Sequence, residues 1–193
     1  AYEAEMRFLR ALAHHELVLN FSRPYADGNG SQMGIIYREF GINNEAKVAE
    51  ARELKRSEFT VAQNYQKILA DLDFAEANLT PAGALKTYRA NKAAAIALKM
   101  RVKLHMGDWP GVISEGAKIV SGTSPNYSSP IGVWKLTPTP EGPWVNNTSD
   151  ESIFSFKNDA TDNAGVNAAL ANMLGDPVEQ GARGLVTISP VLW

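Results

Sequence analysis

Residues 91–122 read NKAAAIALKMRVKLHMGDWPGVISEGAKIVSG, and this stretch decides the fold. Asn91 is a typical N-cap residue, and the apolar side chains that follow it recur at helical spacing. Gly107 can adopt the left-handed conformation that ends a helix, and Asp108 can cap the next helix, with Pro110 in its first turn. Because only one or two residues separate the two helices, the pattern predicts an antiparallel helical pair.

The side chains of this pair predict how its helices pack. The first helix carries small residues that let a partner backbone approach closely: Ala93, Ala94, Ala95 and Ala97. The second helix offers an apolar stripe that we expect to face it: Val112, Ile113, Ala117 and Val120. Trp109, at the turn, is predicted to pack between helices. A pair of this length is typical of tetratricopeptide repeats, in which a unit is stable only when it stacks on its neighbours.

Three more helices are predicted upstream of this pair. Ala1–Asn20 has an amphipathic pattern, and the charged stretch Asn44–Arg56 suits one or two helical turns. Thr60 and Gln63 form a capping-box pattern, after which the helical period continues as far as Pro81. The rest of the long interval before Thr60 is predicted to be loop.

The sequence changes in character after Gly122. Residues 123–151 are rich in Pro, Gly, Ser, Thr and Asn, which predicts loops and excludes a helix. Ile153–Lys157 alternates as a short strand does, and weaker patterns indicate a helical turn at Val166–Met173 and an extended piece at Leu185–Ile188. The fold class that we predict is all-α, with tetratricopeptide-like helical pairs, long irregular loops and minor β structure.

The composition excludes several classes of function. The 193 residues carry a formal net charge of −2, and the 19 basic residues are scattered, whereas a nucleic-acid surface needs a concentrated basic patch. No apolar run approaches the roughly 20 residues that cross a bilayer. The absence of cysteine excludes disulfides and thiol chemistry within these residues. We therefore predict no nucleic-acid partner.

The sequence offers no catalytic constellation. His14 and His15 are adjacent, so on a helix their side chains point about 100° apart and cannot chelate one ion from the same face. Two pairs of carboxylates have the composition of a glycosidase site: Asp71 with Asp73, and Asp150 with Glu151. Nothing in the sequence holds either pair across a cleft or raises one of the pKa values, as that chemistry requires. We predict no catalytic residue and no cofactor.

One stretch begins like a calcium-binding loop, because Asp27, Asn29 and Ser31 alternate like its first ligands. The sixth position is Gln32 where such loops need Gly, and the twelfth is Arg38 where they need Glu. An Asn-Gly turn is the simpler interpretation, and no metal site is predicted.

Aromatic side chains interleaved with polar ones on predicted loops are the best candidates for a binding site. Sugar rings present apolar C–H faces surrounded by hydroxyl groups, so their sites pair flat aromatic rings with Asn, Asp, Gln and Arg. The first loop supplies Arg23, Tyr25, Asp27, Asn29, Gln32 and Tyr37. The second loop supplies Tyr127, Trp134, Trp144, Asn146 and Asn147. For each aromatic residue, the alternative is that its side chain only anchors its own loop to the scaffold.

Five stretches in order resemble the SusD/RagB family of outer-membrane nutrient-binding lipoproteins. They are AEMRFLRALAHHELVLNFSRPYAD at 4–27, MGIIYRE at 33–39, NYQKILADLDFAEANL at 64–79, RANKAAAIALKMRVKLHMGDWPGVISEGAKIV at 89–120, and NTSDESIFSFKND at 147–159. Members of that family combine tetratricopeptide-like helical pairs with irregular loops that form a ligand site. Typical members are longer, so we predict one SusD-like helical domain over residues 1–193, truncated at its N-terminus and its C-terminus.

The resemblance implies a function. It implies non-catalytic binding of a nutrient, most often a glycan, and delivery to a TonB-dependent outer-membrane transporter of the SusC-like type. It also implies a surface-exposed lipoprotein of the outer membrane whose anchor cysteine is not in this chain. Two alternatives stay open: a helical-repeat scaffold that binds peptides on its concave surface, and a glycoside hydrolase with a carboxylate pair in a cleft.

Overall fold

The computed structural model describes residues 2–81, 87–145, 149–157, 159, 161, 165, 173–175, 177–178 and 183–185, and the side chains of residues 144 and 145 are not described. The chain divides into two compact units, Ala1–Ser155 and Phe156–Trp193. The helices are Tyr2–Phe21 (α1), Glu45–Glu53 (α2), Val61–Asn78 (α3), Lys92–Met106 (α4), Trp109–Ile119 (α5) and the four-residue Gly142–Val145 (α6). Two strands follow α5, Ser121–Thr123 (β1) and Asn126–Ser128 (β2). Among the described residues, none of the helices combines the length and apolarity of a membrane span.

The predicted fold class is confirmed, and local capping explains where the helices begin. The Thr60 side chain accepts from the Gln63 amide, and the Gln63 side chain accepts from the Thr60 amide, which completes the predicted capping box of α3. Asn91 accepts from the Ala94 amide at 2.9 Å at the start of α4. Gly107 ends α4 in the left-handed conformation, with φ 75°, and Asp108 caps α5 through the Gly111 amide.

The core lies where α1 and α4 pack against α3. Its largest fully buried apolar side chains include Phe8, Tyr65, Ile68 and Leu72. Of the small residues of α4, Ala93, Ala94 and Ala95 are buried and Ala97 is half-buried, which lets this helix lie in the middle of the unit, between α3 and α5.

The predicted apolar stripe of α5 is wrong. Ile113 is 74% exposed, and Ala117 and Val120 are exposed too, whereas Glu115 and Ile119 are buried. The physical reason is a buried charge on the neighbouring helix, Lys99, whose ammonium group lies 3.1 Å from the Glu115 carboxylate. A helix that pairs with this charge must turn a polar position inward.

Lys99 is the centre of a cluster of ionic contacts among α3, α4 and α5. Its ammonium group also lies 2.6 Å from Asp73 and 2.7 Å from Glu76, while Lys118 reaches both Glu76 and Glu115. Burial alone would lower the pKa of Lys99, but the hydrogen bonds to the carboxylates outweigh it and raise that pKa. The cluster therefore keeps its charges and joins the three helices.

Trp109 does not pack between helices, so that prediction is wrong as well. Its side chain is 61% exposed. Because Trp109 is the first residue of α5, it lies at the very end of the helical pair, beside the turn at Gly107.

A second polar network joins α1 to α3. Asp71 accepts two hydrogen bonds from the Arg10 guanidinium, both at 2.6 Å, and one from the Tyr37 hydroxyl at 2.7 Å. Asn64 is completely buried, and its side-chain amide bonds the backbone N–H and C=O of Ile35 at 2.8 and 2.9 Å. A Cβ atom on Gly34 would lie 2.0 Å from the Asn64 side-chain oxygen, so this backbone approach requires glycine. The segment 34–37 is thereby fixed on α3.

The β structure lies elsewhere than predicted. β1 and β2 form an antiparallel hairpin, in which Gly122 pairs with Tyr127. The predicted strand Ile153–Lys157 is not formed; within it the Ser155 amide donates to the Thr87 carbonyl at 2.8 Å. The short helix α6 also departs from the prediction that the region holds no helix. Apart from Met173 and Leu185, the predicted pieces Val166–Met173 and Leu185–Ile188 lie outside the described residues.

The second unit, Phe156–Trp193, is described only in part. Asp159 pairs with Lys157 at 2.8 Å and accepts from the amide and hydroxyl of Thr161 at 2.9 and 2.8 Å. The Leu185 amide donates to the Met173 carbonyl at 2.8 Å.

Candidate functional site

The candidate site lies in the loops after α5, where three segments run side by side. The Leu136 amide donates to the Tyr127 carbonyl at 3.2 Å, and the Ser129 amide donates to the Trp134 carbonyl at 2.8 Å. The Lys135 amide donates to the Asp150 carbonyl at 3.1 Å. Residues 134–136 thus lie between the hairpin strand β2 and residues 149–153, and backbone hydrogen bonds join them to both.

Trp134 attaches these segments to the helices. Its ring is 5% exposed and belongs to a core cluster with Ala93, Ile96 and Ile119. Its indole N–H donates to the Ser152 carbonyl at 3.0 Å, which satisfies the one polar group of the ring. A Cβ atom on Gly132 would lie 2.1 Å from the Trp134 ring, so the loop can close over the indole only with glycine there.

A cavity of about 300 Å³ opens between these segments and the end of α5. Its apolar lining comes from Ile119, Val120, Tyr127, Trp134, Leu136 and Ile153, and its polar lining from Ser128, Ser129, Lys135 and Glu151. Tyr127 is 37% exposed and supplies an accessible aromatic wall, whereas Trp134 is a buried part of the lining. An apolar, aromatic cavity with a few convergent polar groups has the composition of a small-ligand site.

The polar groups at the rim are held in fixed positions. The Glu151 carboxylate accepts from the amide and the hydroxyl of Thr137, both at 2.6 Å. These hydrogen bonds lower the pKa of Glu151, so the side chain is an acceptor at neutral pH. Lys135 lies 3.4 Å from Asp150 in a solvent-exposed ion pair, which leaves its ammonium group accessible.

The first predicted loop forms a tight turn. Gly28, Asn29 and Gly30 all have positive φ, at 66°, 52° and 73°, which agrees with the predicted Asn-Gly turn. Arg23 pairs with Asp27 at 2.5 Å, so these two charges compensate each other. Among the described residues, no group of three or more His, Asp or Glu side chains could hold a metal ion.

Two of the predicted residues, Arg23 and Tyr25, line a second cavity of about 120 Å³ beside Tyr65 and His105. The Tyr25 ring packs edge-on against the Tyr65 ring, with centroids 5.1 Å apart. The backbone carbonyl of Gln32 accepts from the Val61 amide at 2.9 Å at the start of α3.

Tyr37 is not a stacking platform, so its prediction requires correction. The residue is 3% exposed, and burial together with the hydrogen bond to Asp71 raises the pKa of its hydroxyl. The segment around it is drawn onto α3, which turns the ring inward. The Trp144 side chain, Asn146 and Asn147 lie outside the described part of the chain.

The structure therefore brings Tyr127 and Trp134 together in one cavity and places Arg23 and Tyr25 in another. Sequence reasoning missed the contributions of Lys135 and the end of α5. It named Glu151 only as a carboxylate beside Asp150 and as part of the stretch at 147–159, and not as a residue of this cavity.

Helical pairs that carry a cavity on irregular loops define a class of helical-repeat proteins with a loop-borne pocket. Within that class, the sequence model of a SusD-like family, described as "Starch-binding associating with outer membrane", matches residues 1–104, more than half of the chain. The chain belongs to this SusD-like family, and the resemblance found in the sequence is confirmed. A search of curated proteins gives no match.

Two solved structures have the same fold. A SusD superfamily protein from Bacteroides fragilis superposes with a TM-score of 0.64 at 28% identity, over 83% of this chain and 34% of its own. A SusD superfamily protein from Bacteroides thetaiotaomicron VPI-5482 gives a TM-score of 0.63 at 23% identity, over 82% of this chain and 31% of its own. This chain spans about a third of the length of these two proteins.

Proposed function

We propose that the protein captures a glycan without chemical change at the bacterial outer-membrane surface and delivers it to a TonB-dependent, SusC-like transporter. The observation that carries the proposal is the family match over residues 1–104, because that family is described as starch-binding and associated with the outer membrane. Attachment as a surface-exposed lipoprotein, through an anchor cysteine outside these residues, belongs to the same proposal.

The cavity beside Tyr127 supports this proposal physically. A sugar ring needs an aromatic face for its C–H groups and polar partners for its hydroxyls. The accessible Tyr127 ring meets the first need, and the Glu151 carboxylate, the Lys135 ammonium and the Ser128 and Ser129 groups meet the second. The loop carrying Arg23, Tyr25, Asp27 and Asn29 is a second candidate contact region, beside the smaller cavity.

Hydrolysis fits the same cavity less well. A glycosidase acid must hold its proton near neutral pH, which requires a raised pKa. The pKa of Glu151 is shifted in the opposite direction by Thr137, and its carboxylate oxygen is already engaged. Capture therefore fits the site better than cleavage does.

Isothermal titration of the whole protein with a panel of neutral oligosaccharides tests the proposal. We expect one of them to bind and Tyr127→Ala to weaken that binding about tenfold, because stacking on the exposed ring is lost. Tyr2→Ala is the matched control, since Tyr2 is an exposed tyrosine on α1 outside this cavity. Equal affinities of Tyr127→Ala and the wild type would remove the cavity from the proposal, and no binding by any glycan would remove glycan capture.

Co-purification tests the transporter part independently. We expect the whole protein, isolated from outer membranes in mild detergent, to bring a TonB-dependent barrel with it. Isolation without any such barrel would contradict delivery to a transporter and would leave glycan capture standing.

A further inference from the structure

A larger and more strongly charged cavity lies beside α1, and the proposed function does not use it. It has a volume of about 450 Å³ and lies between the first turns of α1 and residues 38–41. Glu3, Met6, Arg7 and Arg10 line its helical side, and Arg38, Glu39, Phe40 and Gly41 line the other. Three guanidinium groups, two carboxylates, an aromatic ring and a thioether thus surround one space.

The spacing of the helical residues explains why they converge. Glu3, Arg7 and Arg10 are four and three residues apart, so they lie on one face of α1. The facing segment is fixed next to this face, because Tyr37 donates its hydroxyl hydrogen to Asp71, the same carboxylate that holds Arg10. The cavity is therefore part of the folded scaffold and does not depend on a free loop.

The charges in this cavity do not all cancel. Arg7 pairs with Glu3 at 2.7 Å, Arg10 with Asp71 at 2.6 Å, and Glu39 with Lys67 at 2.6 Å. Arg38 is exposed, and within the described ranges its guanidinium has no ion-pair partner. The lining of the cavity therefore carries one uncompensated positive charge, on Arg38.

His14 bridges the two sides of the cavity. Its ring lies between the Arg10 carbonyl, at 2.8 Å, and the Arg38 amide, at 3.1 Å. Burial lowers the pKa of His14; the hydrogen bond to the Arg10 carbonyl and the charge of Asp71 oppose this, and the charges of Arg10 and Arg38 add to it. The uncompensated Arg38 guanidinium in the cavity lining favours a ligand with a negative charge.

The shape and chemistry of the lining narrow the class of ligand. A guanidinium group binds a planar carboxylate through two parallel hydrogen bonds. The Phe40 ring and the exposed Met6 side chain offer an apolar surface, and the Glu3 and Glu39 carboxylates can accept hydrogen bonds from hydroxyls. Carboxylate, apolar ring face and hydroxyl groups occur together in an acidic sugar.

We propose that this cavity binds an acidic sugar, with the Arg38 guanidinium as the partner of the sugar carboxylate. The proposal rests on the proposed function only in that the carrier of the carboxylate is a glycan. It adds a second binding region, about 450 Å³ in volume, to the protein and gives it a preference for uronic acids.

Titration with trigalacturonate and with its methyl ester tests this site, because the two ligands differ in the carboxylate charge. We expect Arg38→Gln to weaken trigalacturonate binding about tenfold and Arg38→Lys to weaken it less, since a charge-assisted hydrogen bond is lost or altered. The methyl ester should bind more weakly and equally to the wild type and Arg38→Gln. Raising the salt concentration should weaken only the binding of the acid.

Arg52→Gln is the matched control, because Arg52 is exposed on α2 and lies outside the cavity. This substitution removes the same charge as Arg38→Gln does. Equal binding of trigalacturonate by the wild type and Arg38→Gln would overturn the proposal, as would equal affinities for the acid and the ester. If neutral glycans bind through Tyr127 while trigalacturonate shows no dependence on Arg38, the proposed function stands and this inference falls. If trigalacturonate binds through Arg38 while no neutral glycan binds, this inference and glycan capture both stand, and the Tyr127 cavity is removed from the proposed function.

Discussion

The helices from α1 to α5 and the loops that follow them are held by different kinds of contact. In the helices, charged groups are buried and paired across elements, as Asp71 is with Arg10 and Lys99 is with Glu115. In residues 121–153, backbone hydrogen bonds join neighbouring segments, and Trp134 attaches them to the helical core. The helical part therefore depends on particular pairs of side chains. The loop part depends on backbone hydrogen bonds and a few anchors, among them Trp134 and the hydrogen bond from Asn91 to the Ile153 carbonyl, and it leaves side chains such as Tyr127 available for a ligand.

Removing Asp71 should have the largest effect on the helical part. Asp71→Ala leaves the Arg10 guanidinium and the buried Tyr37 hydroxyl without their shared acceptor, so we expect a loss of about 3 to 4 kcal/mol in the free energy of unfolding. Urea denaturation measures it. Asp73→Ala, two residues away on the same helix, should cost less than about 1 kcal/mol, because Asp73 is exposed and Lys99 keeps two other carboxylates. Similar losses for the two variants would contradict the importance of the buried pair.

Removing the anchor of the loop part should have the next largest effect. Trp134→Ala should cost about 3 kcal/mol, at the low end for a buried aromatic side chain, because its cluster lies at the edge of the core. Hydrogen exchange should increase in residues 126–136 and 149–153 but not in α1 and α3. Trp134→Phe keeps an aromatic ring but loses the bond to Ser152 and part of the ring volume, so it should cost less than Trp134→Ala, about 1 to 2 kcal/mol. Equal exchange in both parts would show that the loops have no separate anchor.

Acid should weaken the helical part through His15. This side chain is completely buried on α1, its two ring nitrogens have no hydrogen-bond partner among the described residues, and His105 and the edge of the Tyr65 ring face it. Burial lowers the pKa of His15 to about 4, and the positive charges of His105 and Arg101 contribute. The unfolded chain, with a His pKa of about 6.5, takes up the proton first as the pH falls.

Stability should therefore fall between about pH 6.5 and pH 4, by about 2 kcal/mol from pH 7 to pH 5. Urea midpoints across this range measure it, and His15→Phe should lose most of the slope. Carboxylates with lowered pKa, such as Glu5 and Glu76, reduce the stability only at lower pH, and they do so equally in the wild type and in His15→Phe. An unchanged slope in His15→Phe would exclude His15 as the cause.

The smallest effect is expected on the outer face of α5. Ile113→Ala should change the free energy of unfolding by less than about 0.5 kcal/mol, because the side chain is exposed. Ile119→Ala, on the same helix, should cost about 2 kcal/mol or more, since Ile119 is buried against Trp134. Denaturation of the two variants side by side decides between the observed and the predicted faces of the helix.

The helix boundaries could be predicted because their causes are local. Asn91, Thr60 and Gly107 act within four residues of their own position, and such contacts are visible as sequence patterns. The rotation of α5 could not be predicted in this way. Apolar spacing favoured Ile113, but the inward position is determined by Lys99, which lies on another helix and contacts three carboxylates that are distant in sequence.

The candidate site was predictable to a similar extent. Tyr127 and Trp134 were recognised by residue type, and the structure places them in one cavity. Tyr37 has the same residue type, but its partner Asp71 is 34 residues away, so its burial could not be inferred from the loop that carries it. Burial of a loop aromatic depends on long-range contacts that composition does not encode.

The contact between Gly34 and Asn64 has a consequence for how this protein can evolve. The Asn64 amide pairs with the Ile35 backbone as a neighbouring strand would, and the space for it exists only because Gly34 has no side chain. A change at either position alone removes a buried hydrogen-bond pair or creates an overlap, so the two sites are coupled across 30 residues. In an alignment of relatives we expect Gly34 and Asn64 to be retained together or replaced together, which makes them a two-position marker for this arrangement of the chain.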